Sequence, residues 1–256
     1  MRADYGQRYR DLYDRHWWWR AREEFVLDVL RANQPAWGWR RILDVGCGDR
    51  LFFDQLSQFG EVEGVEPAED LVTKAGAHCA RIHIGRFDKS FQPSKGFSLI
   101  LMLDVLEHLE DPVSAVRHAL SLLSPAGVLV ITVPAFNLLW TNHDTINEHF
   151  IRYTKTSFRT LAQQAGMTIE AERYFFHWLF FVKLATRCAE RLLRLGPKPP
   201  KIPIRPVNDS LYWLCRLESN LLRSVPVPIG SSLLVVGRRP TAAGQQPGRE
   251  GPETRG

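Results

Sequence analysis

The sequence predicts an α/β protein built on a doubly wound, mostly parallel sheet of about seven strands. Apolar runs alternate with helical patterns between residues 40 and 135. Several of these runs are continuously apolar, as in strands that are covered on both faces, and a glycine turn directly follows the first one. Ligands of such sheets bind at the carboxyl ends of the strands, and the candidate residues are therefore sought there.

The elements follow in a regular order. Helices are expected at 50–58, 68–78 and 112–123, and strands at 41–45, 61–66, 80–84, 97–103 and 127–133. A further helix runs from Thr156, a candidate N-cap, to Ala165 and ends at Gly166. A strand at 167–174 follows, and residues 231–238 are expected to form the closing strand.

The core is therefore assigned to residues 40–174 plus 231–239, with helical additions on both sides. Residues 1–39 are predicted to be helical, with Tyr5, Tyr9 and Tyr13 on one face, and either pack on the core or form a lid over the ligand. Residues 175–230 are predicted to form a helical insertion. The tail, 240–256, is rich in Gly, Pro and charge and is expected to be disordered.

Composition narrows the class of protein. The chain has 256 residues, 45% of them hydrophobic, which is enough for a sizeable core. Its net charge of +5 is a weak argument for nucleic acid, and no nucleic-acid partner is predicted. The four cysteines are scattered without a CxxC pair, so neither a zinc site nor a disulfide framework is indicated. With no apolar leader after Met1, a cytoplasmic location is expected.

The first predicted strand leads into the most informative motif, ILDVGCG at 42–48. Gly46 and Gly48 allow the backbone to turn tightly and to approach a ligand. Asp44 precedes them, and Glu66 ends the next apolar run, VEGVE. A carboxylate at that second strand end can accept hydrogen bonds from both ribose hydroxyls of an adenosine. The pattern therefore predicts a nucleotide-like cofactor.

Four blocks in sequence, ILDVGCG, VEGVEP, FSLILMLDVLEHLEDP and LLSPAGVLVITVP, resemble the strands of class I S-adenosylmethionine-dependent methyltransferases. The resemblance covers roughly residues 40–175 and the closing strand. It implies a Rossmann-like fold whose last strand is antiparallel and lies at the far end of the sheet. Arg50 stands where the family usually has a third glycine. An NAD-binding Rossmann oxidoreductase is the less favoured alternative.

The resemblance also assigns roles around the cofactor S-adenosylmethionine. Gly46 and Gly48 would contact its methionine part, Asp44 would orient the loop or bind the amino group, and Glu66 would hold the ribose. The resemblance adds two positions to those found from the strand ends. Gly85 lies in the segment that normally contacts adenine, and Asp104 lies where the family lines the pocket near the sulfonium.

Asp104, Glu107 and His108 are spaced so that one helical turn would place them on one face. This spacing resembles a divalent-metal site in the ubiquinone-pathway O-methyltransferases. The same EHL sequence also occurs in methyltransferases without a metal, where the pair is structural. We predict no metal.

The loop 134–153 is predicted to carry the acceptor chemistry. Methyl transfer requires a positioned nucleophile and, for a hydroxyl acceptor, a group that removes its proton. His149 or His143 could be that base, with Asp144 as the orienting partner. The alternative is a polar network that only fixes the loop.

The predicted function is methyl transfer from S-adenosylmethionine to a small or lipid-linked acceptor, with oxygen favoured over carbon or nitrogen. A catalytically silent relative that serves as a binding or assembly protein is the alternative from another class. The apolar helices of 175–224 have three interpretations: extra core or a homodimer interface, peripheral membrane contact, or a tunnel for a lipid acceptor. For membrane contact, Trp178, Phe180 and Phe181 would insert beside a group of basic residues, namely Lys183, Arg187, Arg191 and Arg194.

Overall fold

A seven-stranded sheet forms the centre of the computed structural model, which describes residues 10–73, 77–194, 196 and 200–240. The spatial order is β3-β2-β1-β4-β5-β7-β6. The strands are β1 (Arg41–Val45), β2 (Glu61–Glu66), β3 (Ile82–Ile84), β4 (Phe97–Leu103), β5 (Leu123–Pro134), β6 (Thr168–Phe175) and β7 (Ser232–Arg238). Strands β1 to β5 pair in parallel, and β7 runs antiparallel to both β5 and β6.

The helices lie on both faces of this sheet. They are α1 (Trp17–Asn33), α2 (Phe53–Leu56), α3 (Pro112–Leu122), α4 (Asn142–Ile146), α5 (Lys155–Ala165), α6 (His177–Leu192) and α7 (Arg205–Leu221). Alternate residues of the central strands face opposite layers, as the pleat requires. Leu99 and Leu101 of β4 belong to one core cluster, whereas Ile100 and Met102 belong to the other. The sequence therefore predicted the fold class correctly, including the antiparallel last strand.

Two predicted helices after the glycine turn were wrong in extent. Arg50 adopts a left-handed φ of 64°, so α2 cannot begin at residue 50 and forms only at Phe53. The expected helix 68–78 is a single 3-10 turn at Glu69–Leu71 within its described part. The Thr73 backbone N–H donates to the Asp49 carboxylate (2.9 Å), which replaces a helical hydrogen bond.

Two smaller expectations also need correction. The N-cap of α5 is Thr154 rather than Thr156, because the Thr154 hydroxyl accepts from the Ser157 N–H (3.1 Å) while the Ser157 hydroxyl accepts from the Thr154 N–H (2.9 Å). Gly166 ends the helix in a left-handed conformation, as predicted. Strand β7 lies second from the edge, since β6 pairs with its outer side.

Helix α1 is packed between the sheet and the insertion. Phe25 stacks on Phe175 with ring centroids 4.2 Å apart, and Trp17 lies against Trp178 of α6. The buried Asn208 side chain of α7 accepts from the Trp17 N–H (2.9 Å) and donates to the Arg15 carbonyl (2.9 Å). Of the two roles expected for residues 1–39, packing on the core is present for the described part of the segment. Tyr5 and Tyr9 lie outside the described residues, as do residues 241–256 of the predicted tail.

Asn208→Ala is expected to lower the free energy of unfolding by about 1–3 kcal/mol, because it leaves the Trp17 N–H and the Arg15 carbonyl buried without their partner. Denaturant titration would measure the loss. Ser210→Ala is the matched control on the same helix, since its hydroxyl is exposed and donates to the Pro206 carbonyl within the helix. Equal stability of the two variants would contradict this assignment.

Candidate active site

A cavity with a volume of about 1490 Å³ opens at the carboxyl ends of the parallel strands. Gly46, Gly48 and Glu66 line one part of it, and Asp104 and Pro134 line the neighbouring part. Three elements outside the sheet contribute further residues to the wall. The insertion contributes Lys183. The N-terminal segment contributes Leu12, Trp18, Trp19 and Arg22. The loop 134–153 contributes His143, His149, Phe150 and Arg152.

The glycine turn requires two residues without a side chain. Gly46 has a φ of 72°, and a Cβ there would lie 2.8 Å from Val105 Cγ2. Gly48 has a φ of 53° and faces open space. The usual third glycine is replaced by Arg50, which retains the left-handed conformation and donates to the Thr73 carbonyl (3.1 Å). The turn geometry therefore survives this departure from the family pattern.

The Glu66 carboxylate connects the end of β2 to the glycine turn that follows β1. One carboxylate oxygen accepts from the Gly48 N–H (2.9 Å) and the other from the Ala68 N–H (2.9 Å). Burial raises the pKa of Glu66, and these two hydrogen bonds partly oppose the rise. Each oxygen retains a second lone pair for a ligand hydroxyl.

Neither Asp44 nor Gly85 is among the described residues that line the cavity. Burial raises the pKa of Asp44 to about 7, and Arg22 opposes this rise. The Gly85 N–H donates to the Glu66 carbonyl (2.9 Å) at the end of β3. The next residue, Arg86, lines the cavity instead.

Asp104 is held by a residue of the N-terminal helix. Its carboxylate forms an ion pair with Arg22 (2.6 Å) and accepts from the Thr132 hydroxyl (3.3 Å). Its φ of 56° turns the chain out of β4 into the cavity wall. Sequence reasoning did not pair Arg22 with Asp104, because a contact between an N-terminal helix and a strand end leaves no local pattern.

The loop after β5 is organised around the fully buried carboxylate of Asp144. Arg152 binds it in a bidentate manner through Nε (2.8 Å) and Nη2 (2.9 Å), and His149 Nδ1 lies 2.9 Å from Oδ1. The Thr141 N–H donates to Oδ2 (2.8 Å) and completes a capping box on α4. Burial would raise the pKa of Asp144, but the hydrogen bonds from His149 and Arg152 outweigh burial and lower it well below its usual value.

The two candidate histidines have different surroundings. His149 is oriented by Asp144 through Nδ1, so Nε2 is the atom that can accept a proton. Burial lowers the pKa of His143 to about 4, and the nearby Lys183 adds to the effect. The His143 Nε2 contacts the Asn147 amide (3.1 Å) rather than the carboxylate.

Among the described residues, one group of side chains could share a metal ion: Glu107, His108 and His149, whose ligand atoms lie within 4.8 Å of one another. Glu107 Oε2 is buried without a hydrogen-bond partner, and burial raises the pKa of this carboxyl well above its usual value. An orphaned carboxylate oxygen beside two imidazoles fits a divalent cation. The set differs from the one considered from sequence, because Asp104 is paired with Arg22 and His149 takes its place.

Comparison with known proteins decides the family. A family described as a methyltransferase domain matches residues 2–172, about two thirds of the chain. The chain belongs to this methyltransferase family. The resemblance noted from the sequence is thereby confirmed.

Relatives and solved structures agree with this assignment. Ubiquinone biosynthesis O-methyltransferases of Bradyrhizobium diazoefficiens and Xanthomonas campestris pv. campestris (strain B100) are both 29% identical, over 44% and 41% of this chain. The methyltransferase chain spans only about half of each (46% and 47%).

Two structures have the same fold. The methyltransferase in complex with the Trm112 activator of Haloferax volcanii has a TM-score of 0.56 and 16% identity, covering 93% of this chain and 96% of that chain. An S-adenosylmethionine-dependent methyltransferase of Archaeoglobus fulgidus has a TM-score of 0.51 and 19% identity, covering 85% and 94%. The fold and the cofactor class expected from the sequence are those of S-adenosylmethionine-dependent methyltransferases.

Glu66→Ala in this methyltransferase is expected to weaken binding of S-adenosylhomocysteine by about 1.5–3 kcal/mol, because the ribose loses charge-assisted hydrogen bonds and the glycine turn loses its anchor. Isothermal titration calorimetry would measure the change. Glu61→Ala, at the exposed start of the same strand, is the control. Unchanged affinity in Glu66→Ala, or binding of NADH in place of the adenosyl ligand, would contradict the assignment.

Proposed function

We propose that this protein transfers the methyl group of S-adenosylmethionine to an oxygen atom of a small or lipid-linked acceptor. The observation that carries the proposal is that one cavity joins the strand ends bearing Gly46, Gly48 and Glu66 to the His149–Asp144–Arg152 network. The first set suits an adenosyl ligand, and the second suits deprotonation of a hydroxyl. The sequence relationship to proteins named O-methyltransferases supports oxygen as the acceptor atom.

The reaction is an in-line displacement at the sulfonium. The acceptor oxygen attacks the methyl carbon, the carbon–sulfur bond breaks, and S-adenosylhomocysteine leaves with the electron pair on sulfur. In this proposal the hydroxyl proton passes to Nε2 of His149, and Asp144 stabilises the imidazolium through Nδ1. Arg152 acts indirectly, since it keeps the Asp144 carboxylate ionised and in place.

The N-terminal helix is proposed as a wall or lid of the site. Trp18, Trp19 and Arg22 line the cavity, while Trp17 and Phe25 anchor the same helix in the core. The Arg22–Asp104 ion pair would therefore close the side of the cavity nearest the sulfonium. Movement of this helix as a lid over the cavity stays a prediction.

His149→Ala is expected to lower kcat by about 10²–10⁴-fold while the affinity for S-adenosylhomocysteine stays unchanged, because the cofactor residues lie on other elements. His143→Ala should have a smaller effect, since His143 lacks the carboxylate partner. Transfer of a labelled methyl group to metabolites of a cell extract would measure turnover. His83→Ala, at an exposed position outside the cavity, is the control.

The metal alternative is tested in the same assay. Glu107, His108 and His149 would hold a divalent cation, which would lower the pKa of an acceptor hydroxyl as a Lewis acid. Activity that survives a chelator but is lost in His149→Ala supports the role of His149 as the general base. Activity that chelation removes and added metal restores would contradict the role of His149 as base.

We further propose that the outer face of the insertion rests on an anionic lipid surface. Exposed apolar side chains recur along α7 at Val207, Leu214, Leu217 and Leu221. The segment 175–230 contains nine lysines and arginines against three acidic residues, so its charge complements acidic headgroups. The contact would be peripheral, since no helix in the described part of the chain is long and apolar enough to cross a bilayer.

The structure changes which residues of the insertion are expected to contact the lipid. Phe181 is exposed, but Trp178 and Phe180 are half-buried against the protein. Lys183 lines the cavity, and Arg187 donates to the carbonyls of Asn137 (2.7 Å) and Leu138 (2.8 Å). The contact is therefore assigned mainly to α7.

The protein is expected to float with phosphatidylglycerol vesicles at low salt and to be released at high salt, because each basic residue near the surface contributes about 1 kcal/mol. Leu214→Ser with Leu217→Ser should abolish flotation. Arg159→Ser, an exposed basic site on α5, is the control. Absence of flotation at low salt, together with a dimer mass by light scattering that the double variant loses, would assign this face to a second copy instead.

A further inference from the structure

The insertion helix α6 places one basic side chain in the cavity. Lys183 lines it together with His143, His149 and Arg152, on the acceptor side of Asp104. The side chain interrupts the apolar run 175–182, which packs α6 against the core through Leu179. A lysine in this position is part of the cavity wall and not of the outer surface of the insertion.

The charges around Lys183 are already paired with one another. Asp144 is bound by Arg152 in a bidentate manner, and Asp104 is bound by Arg22. Among the residues that the structure describes, no hydrogen bond or salt bridge includes Lys183.

Within the described part of the chain, the Lys183 ammonium group has no carboxylate that is not already paired with an arginine. Burial lowers the pKa of Lys183 to about 7, the Arg152 charge lowers it further, and Asp144 and Asp104 act in the opposite direction. His143 also lies close enough for its pKa to be affected by the lysine. A ligand oxyanion would supply the missing charge and would favour the protonated lysine.

We propose that Lys183 binds an oxyanion of the acceptor, a carboxylate or a phosphate ester, and thereby directs the acceptor hydroxyl towards His149. This inference rests on the proposed function and specifies its substrate class. The evidence is the position of Lys183 in the wall shared with His149 and Arg152, combined with the pairing of the surrounding carboxylates. The acceptor would therefore carry both a hydroxyl and a negative charge.

The test is a titration of the S-adenosylhomocysteine complex with three probes: benzoate, phenyl phosphate and the neutral benzamide. Tryptophan fluorescence reports binding, since Trp18 and Trp19 line the cavity. At least one anion is expected to bind at least tenfold more tightly than benzamide. The anion that binds distinguishes a carboxylate from a phosphate ester. Equal affinity for all three probes would overturn the proposal.

Variants then assign the effect to the lysine. Lys183→Met should lose the preference for anions, Lys183→Arg should retain it, and Lys95→Met should match the wild type because Lys95 is exposed before β4 and outside the cavity. Retention of full anion binding in Lys183→Met would overturn the proposal. A loss of turnover alone in that variant would instead make Lys183 the base.

The wild-type protein provides a measurement that does not depend on the folding of a variant. Benzoate remains ionised near neutral pH, so its affinity should fall as the pH rises through about 7 and Lys183 loses its proton. A flat profile would overturn the proposal. Failure of methyl transfer would be visible separately, as an absence of labelled product from a cell extract despite intact anion binding.

Discussion

The buried Asp144 carboxylate is the interaction on which the acceptor side of the site depends. It completes the N-terminal cap of α4 with Thr141, accepts hydrogen bonds from Nε and Nη2 of Arg152, and orients His149. Arg152 also donates to the Ala135 carbonyl (3.1 Å), so the same network fastens the loop to the end of β5. Removing one partner of such a buried pair leaves an uncompensated charge, and the loop and the histidine are therefore coupled in stability as well as in chemistry.

The cavity is completed by segments that the strand–helix core does not supply. Arg22 of α1 neutralises Asp104, and Lys183 of α6 faces the acceptor side. Both helices are held by apolar contacts, through Trp17 against Trp178 and Phe25 against Phe175. The packing of α1 and α6 thus sets the positions of the Arg22 and Lys183 side chains in the site. A core substitution in α1 or α6 would alter the cavity without touching a ligand.

The sequence predicted the sheet closely because parallel strands leave strong local signals. Continuous apolar runs mark β4 and β5, and glycines mark the turn after β1. The predicted helix 68–78 was wrong, because the Asp49 side chain accepts from the Thr73 N–H in place of a helical hydrogen bond. The sequence also did not predict the ion pair of Arg22 with Asp104. Such contacts join distant segments, and no periodic pattern encodes them. The pairing of His149 with Asp144 was accessible because both lie in one short loop.

The two sides of the cavity have opposite electrostatic character. The strand ends carry Glu66 and Asp44, and burial raises the pKa of both carboxyls, that of Asp44 to about 7. A cationic ligand at this place favours the ionised carboxylates, and that stabilisation weakens once the ligand becomes neutral. The acceptor side instead has Lys183 without a paired carboxylate in the described part of the chain. Because burial disfavours the charged forms of Asp44 and Lys183, a cationic donor and an anionic acceptor would each favour the ionised form of the side chain on its own side of the cavity.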